Sequence, residues 1–373
     1  MNNILEMIKN EKVEWKKLGD VCECKRGSTI TKKQVKPGKV PVIAGGQEPA
    51  YYHSESNRIG ETITVAGSGV NAGYVNYWNI PIFLSDAFSV HPENCILIKY
   101  LYYFLSSKQF EIYNLKKGCG IPHVYYEDLE KIEIPIPSLE TQERIVKILD
   151  TMVDHFTQLE AELEARNKQY EYYRDKLLSE EYLNKLTKKY NSDCSNYELK
   201  EFTLGQVIKL KNGKDWKKLN KGTIPVYGSG GPMEVYVNKF SYNKETVLIP
   251  RKGSIDNVFY LDKPFWNVDT IYYTEVDTKV LNIKYFYYFM KNIDLSSLSD
   301  NSTRPSLTQG IINNIKIIIP PIAVQEHIVS ILDSFNKIVT DINEGLPKEI
   351  ELRQKQYEYY RERLLDFKRD DDE

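Results

Sequence analysis

Between residues 142 and 178, apolar side chains recur on alternating steps of four and three: Ile145, Leu149, Met152, Phe156, Leu159, Leu163, Tyr170, Tyr173 and Leu177, with Arg166 the one polar occupant of the seam. A period of 3.5 residues kept up for so long predicts one helix that supercoils left-handed against a partner, because so long a stripe is not stable in water. At 1.5 Å per residue this helix extends roughly 55 Å. The partner lies in the same chain. RNKQYEYYRDKLL at 166–178 recurs as RQKQYEYYRERLL at 353–365 with ten of thirteen positions identical, and QERIVKILD from Gln142 recurs as QEHIVSILD from Gln325. The second seam runs through Ile328, Leu332, Phe335, Val339, Ile342, Leu346, Ile350, Arg353, Tyr357, Tyr360 and Leu364, and it carries four extra residues. That stutter coincides with Gly345 and Pro347, and predicts a break near residues 343–347 with Pro347 in the first turn of a renewed helix. Arg166 and Arg353 share one register, where they either specify pairing or snorkel outward.

The duplication reaches beyond the helices. LGDV from Leu18 matches LGQV from Leu204, Lys25-Arg26-Gly27 matches Lys211-Asn212-Gly213, and VPVIAGG from Val40 matches IPVYGSG from Ile224. Gly69 answers Gly253, Asp86 answers Asp269, Tyr102-Tyr103-Phe104 answers Tyr287-Tyr288-Phe289, and Pro122 answers Pro305. In both copies, short β-branched and aromatic runs separated by Gly, Pro and Asn predict strands, at 61–67, 72–78, 245–251 and 257–262, closing in apolar strands at 132–136 and 315–319. Short helices are expected at 99–107 and 283–291. Residues 181–197 are polar and read as a linker.

The pattern therefore predicts an α+β fold of two β-rich domains in tandem, each followed by a long helix. The two helices are expected to pair as an antiparallel coiled coil with pseudo-twofold symmetry. Residues 1–137 and 185–320 are the heads, and 138–184 and 321–368 the helical regions. Two heads on such a pair suit a bipartite target, and duplex DNA offers half-sites that recur along one face.

Composition narrows the chemistry. A chain of 373 residues holds two or three domains with their own cores, and a net charge of −2 makes any polyanion footprint local. The first 17 residues lack the apolar stretch of a signal peptide, and no apolar run nears membrane-spanning length. Five cysteines in no metal-ligand pattern (Cys22, Cys24, Cys95, Cys119, Cys194) read as free thiols of a cytoplasmic protein. The histidines, His53, His91, His123, His155 and His327, are scattered. GSGVNAG at 67–73 fits neither dinucleotide nor P-loop spacing, and Asp86 and Asp269 lack a nuclease motif beside them. No catalytic residue, metal site or cofactor site is predicted.

Basic residues gather in matching loops. Lys25, Arg26, Lys32 and Lys33, with Lys36 and Lys39, stand in the first head, and Lys211, Lys214 and Lys217, with Lys209, Lys218 and Lys221, in the second. These side chains neutralise phosphates. Gly-flanked polar loops place Gln47, Ser68 and Asn71 in the first head and Ser229, Arg251, Lys252, Ser254 and Asn257 in the second; Gln and Asn suit adenine, Arg suits guanine. Arg304, beside Pro305, is a further candidate, and the first copy has Ile121 there. Heads that read different bases should differ at such positions.

Two β-rich units, each closing in I-x-x-P-x-x-x-x-Q-E-x-I-V-x-I-L-D and followed by a helix ending in K-Q-Y-E-Y-Y-R-x-x-L-L, resemble the specificity subunit of type I restriction-modification systems along the whole chain. The resemblance implies that residues 1–137 and 185–320 are target recognition domains. Each would read half of a split double-stranded DNA sequence, while the helical regions set the spacing and dock two methylation subunits, with restriction subunits joining the complex. It further implies a non-catalytic chain in the cytoplasm, with no membrane contact, whose partners carry S-adenosylmethionine, ATP and Mg. Gln142, Glu143, Tyr172, Gln325, Glu326 and Tyr359 are the docking positions it suggests, Tyr173 and Tyr360 being left to the seam. The alternatives are heads that are themselves methyltransferases or nucleases, a coiled-coil scaffold indifferent to DNA sequence, or a specificity subunit of a related system that is not type I.

Overall fold

The heptad seam forms the helix Leu139–Leu177. Its second copy forms two helices, Ile322–Thr340 and Leu346–Leu364, the latter with Pro347 in its first turn as the stutter predicts. A computed structural model describes residues 2–118, 120–190, 199–299, 305–340 and 345–369; seam position Ile342 lies outside them. Ile145, Leu149, Leu177, Ile328, Leu332, Val339, Ile350 and Leu364 are buried, and the other described seam residues are half-buried except Tyr173, which is 36% exposed. Arg166 and Arg353 each turn along their own helix, to Glu162 at 3.3 Å and Glu349 at 3.4 Å. The matched arginines therefore snorkel, held by i,i+4 carboxylates.

The chain divides into two compact units, Met1–Glu160 with Glu349–Glu373, and Ala161–Lys348. These spatial units do not follow the sequence repeat, because the boundary falls inside the helix Leu139–Leu177. In the first unit Phe156 meets the Tyr357 ring edge-on at 5.8 Å and Glu160 accepts from Gln354 at 3.2 Å. Residue numbers rise on one helix as they fall on the other, so this pairing is antiparallel. In the second unit Tyr173 stacks on Phe335 at 5.3 Å.

Both units hold the same strands in the same order. In the first, Cys22–Arg26, Ala87–Pro92, Thr62–Ala66 and Val75–Trp78 form an antiparallel sheet in that spatial order. Val40–Ile43 lies between Tyr51–His53, antiparallel, and Phe83–Leu84, parallel. Thr62–Ala66 is buried at every residue, as a central strand covered on both faces must be. The second unit repeats this with Ile208–Asn212, Ile271–Val276, Thr246–Pro250 and Phe259–Leu261, and with Gly231–Val237, Lys221–Gly228 and Trp266–Asn267. The expected short helices are Ile98–Ser107 and Ile283–Lys291. The closing strands Glu133–Ile136 and Lys316–Ile319 pair with Glu14–Lys17 and Lys200–Thr203.

The linker reading is corrected where it can be compared. Glu180–Tyr190 is a helix whose Leu183 and Leu186 are buried in the second core. Glu180 and Glu181 in its first turn and Lys188 and Lys189 in its last complement the helix dipole. Residues 191–197 lie outside the described residues. No described helix is long and apolar enough to cross a membrane.

Candidate nucleic-acid interface

Backbone geometry assembles the loops of each head. A Cβ on Gly27 would lie 2.2 Å from the Ser85 carbonyl, and one on Gly213 would lie 2.0 Å from the Val268 carbonyl. Only glycine permits this approach, and it sets the Lys-x-Gly loop against the segment carrying Asp86 or Asp269 in both heads.

In the second unit, a cleft of about 890 Å³ opens between residues 213–217, 228–233 and 268–270. Lys214, Lys217 and Ser229 line it with Trp216, Met233, Asp269 and Thr270. Ser229 N–H donates to Thr270 Oγ1 at 3.2 Å, Arg251 N–H to the Thr270 carbonyl at 2.8 Å, and Asn257 Nδ2 to the Ser229 carbonyl at 3.3 Å. Ser229, Arg251 and Asn257 are thus brought to the Lys214 and Lys217 loop, and Lys252 and Ser254 are exposed on the same 251–257 turn. The Arg251 guanidinium lies over the Tyr272 ring at 5.9 Å. Lys211 does not join them; it sits in a strand and pairs with Glu275 at 3.4 Å. Arg304 lies outside the described residues.

In the first unit, Arg26, Gly67, Asp86, His123, Tyr125 and Glu127 line a smaller cavity of about 230 Å³ with Cys24 and Tyr126. Burial pushes the Cys24 thiol up to about 12, so it is not a nucleophile at neutral pH. Ser68 donates to the Asp86 carboxylate. Gly45, whose Cβ would lie 2.3 Å from the Ser68 carbonyl, brings the Gln47 loop alongside, and Gln47 is exposed there. Asn71 is half-buried on the same loop as Ser68. Lys25 pairs with Glu23 at 2.8 Å, and Lys32 and Lys33 are exposed on a separate turn. Among the described residues, Arg26, Lys32, Lys33, Lys214 and Lys217 have no acidic partner. Trp216 and Tyr125 escaped the sequence reading, and Asp86, Asp269 and His123 were noticed there without a site role. The paired recurrence of Asp86 with Asp269 and of Gly27 with Gly213 was the signal pointing to these segments.

The helical candidates separate sharply. Tyr172 and Tyr359 are 59% and 50% exposed, each beneath a cation one turn on, Lys176 at 5.6 Å and Arg363 at 4.9 Å. Glu143 and Glu326 are exposed. The expectation that Gln142 and Gln325 face a partner is corrected, because both are fully buried. Gln142 Oε1 accepts from Leu97 N–H at 2.8 Å, and its Nε2 donates to the carbonyls of Cys95 at 2.9 Å and Pro137 at 3.0 Å. Gln325 does the same with Asn282 at 2.7 Å, Val280 at 2.9 Å and Pro320 at 2.7 Å. Two turns further, Asp150 accepts from Lys99 at 2.7 Å and Tyr103 at 2.6 Å, and Asp333 from Lys284 at 2.5 Å and Tyr288 at 2.6 Å. Burial, reinforced by the carboxylate, holds both tyrosine hydroxyls far above their ordinary pKa. The Q-E-x-I-V-x-I-L-D block is therefore a latch from each head to its helix.

The sequence matches the family described as "Type I restriction modification DNA specificity domain" over residues 10–191 and 196–352. It is similar to a putative type I restriction enzyme specificity subunit of Haemophilus influenzae, with 31% identity over 97% of either chain. A type I restriction enzyme specificity subunit of Escherichia coli is also 31% identical, over 74% of this chain and 72% of that protein. The crystal structure of a type I restriction-modification S subunit from Mycoplasma genitalium superposes with a TM-score of 0.66 at 23% identity, covering 96% of this chain and 98% of that one. That likeness is one of fold.

Proposed function

The chain belongs to the type I restriction-modification DNA specificity family, and we propose that its two heads each read one half of a bipartite duplex DNA target with a fixed gap, without catalysing a reaction. The observation that carries this reading is the repetition of one loop assembly with different readers. Arg26 and Ser68 in the first head answer Asn212 and Lys252 in the second; Arg26 and Asn212 each precede a glycine pressed against a backbone carbonyl, Gly27 or Gly213, and Ser68 and Lys252 each precede a glycine of positive φ, Gly69 or Gly253. Cations without acidic partners beside both cavities suit phosphates, and the side chains between them suit base edges. Exposed Tyr172 and Tyr359, at equivalent places on the helices, offer two like docking points for two methylation subunits, with restriction subunits joining the larger complex. Methyl transfer with S-adenosylmethionine and ATP- and Mg-dependent cleavage belong, in this reading, to those partners.

The test is to sequence modified bases in DNA from cells expressing this chain with its methylation subunit, against cells without this chain. A new motif of two short specified halves around a constant unspecified gap is expected. An assembled complex that leaves no new motif would overturn the proposal.

A further inference from the structure

Isolated exposed apolar side chains are ordinary, but Val70 and Ile121 are 85% and 66% exposed at the end of one paired loop. Ser68 and His123 form an antiparallel bridge, and Gly69 N–H donates to the Pro122 carbonyl at 3.0 Å. Val70 and Ile121 are the next residues outward on the two sides. Gly69 takes a φ of +87°, which a side chain would oppose, and Lys116 Nζ donates to the Val70 carbonyl at 2.8 Å. The tip is thus held from both sides while its two branched side chains face solvent. Lys252 and Ser306 form the equivalent bridge in the second head, but the residues that align with Val70 and Ile121 there are Ser254 and Arg304, of which Arg304 lies outside the described residues. By alignment, then, the apolar pair of the first head is answered by a polar pair in the second.

We infer that Val70 and Ile121 are a base-reading element of the first head that packs against thymine methyl groups in the major groove. The inference rests on the proposed DNA reading and deepens it. The occupant follows from the surroundings. Gly67, beside this bridge, lines the same cavity as Arg26, which has no acidic partner and suits a phosphate or guanine. Gln47 and Asn71 stand on the adjoining loops and suit the major-groove edge of adenine. Among such polar readers the one apolar feature a major groove presents is the C5 methyl of thymine.

The complex of the full chain with its methylation subunit is tested on duplexes carrying its motif, each thymine of both halves replaced singly by deoxyuridine. Binding is expected to weaken about fourfold for each methyl the tip covers, at one or two positions of one half only. A Val70→Ser/Ile121→Ser variant should bind thymine and deoxyuridine duplexes equally in that half, keep its dependence on the other half, and unfold at the unchanged temperature. Deoxyuridine tolerated at every position, or a penalty that persists in the double variant, overturns the inference. Failure of the proposed function looks different, since then no motif exists to substitute.

Discussion

Gln142 and Gln325 show what a motif residue does when its surroundings are known. Each amide, itself fully buried, satisfies one part-buried backbone N–H, one part-buried carbonyl and one buried carbonyl, a task no apolar residue of similar size performs. Gln142→Leu leaves those three groups without partners, and it is expected to lower stability by about 2–4 kcal/mol in urea unfolding. The neighbouring Glu143→Ala, at an exposed position, should stay within about 0.5 kcal/mol. A single sequence reveals that Gln142 recurs at Gln325. It does not reveal whether recurrence serves a partner or the interior, because burial is a property of the folded chain.

At the scale of elements, legibility followed the length of the repeat. Ten seam positions at a 3.5-residue period leave no rival to a helix. The helix Glu180–Tyr190 was obscured because its buried face consists chiefly of Leu183 and Leu186 among charged residues, too few turns for a periodicity to stand out. The segment after the last helix was equally silent. Leu365 and Phe367 are nevertheless buried in the first core, Arg369 lies over Trp15 at 4.4 Å and pairs with Glu133 at 2.7 Å, and Trp15 Nε1 donates to the Lys368 carbonyl at 3.4 Å. These contacts bind the end of the chain to the first head's closing strand pair. Phe367→Ala is expected to cost about 3–5 kcal/mol. Amide exchange should accelerate in strands Glu14–Lys17 and Glu133–Ile136 and stay unchanged in Lys200–Thr203 and Lys316–Ile319. Equal acceleration in both pairs would show that this segment is not specific to the first unit.

For the molecule as a whole, a net charge of −2 means that affinity for DNA must come from the few cations its loops gather. Replacing Lys214 and Lys217 by Gln is expected to reduce the slope of log affinity against log salt by about 2, with the same loss on every sequence tested. An unchanged slope would place the phosphates elsewhere on the chain. By itself the sequence determined that a unit is duplicated, that each copy is a β-rich head joined to a heptad helix, and where the second helix restarts, because periodicity and internal identity are properties of the linear order. It also pointed to most of the loops that line the two cavities, because glycine recurs where one backbone must approach another. Only the tertiary structure decided that the first compact unit joins residues from both ends of the chain, that two matched glutamines face inward, and that Lys25 and Lys211 are paired while Arg26, Lys214 and Lys217 are not. Those outcomes depend on which side chains meet across long separations in sequence, and neither local propensity nor spacing records such meetings.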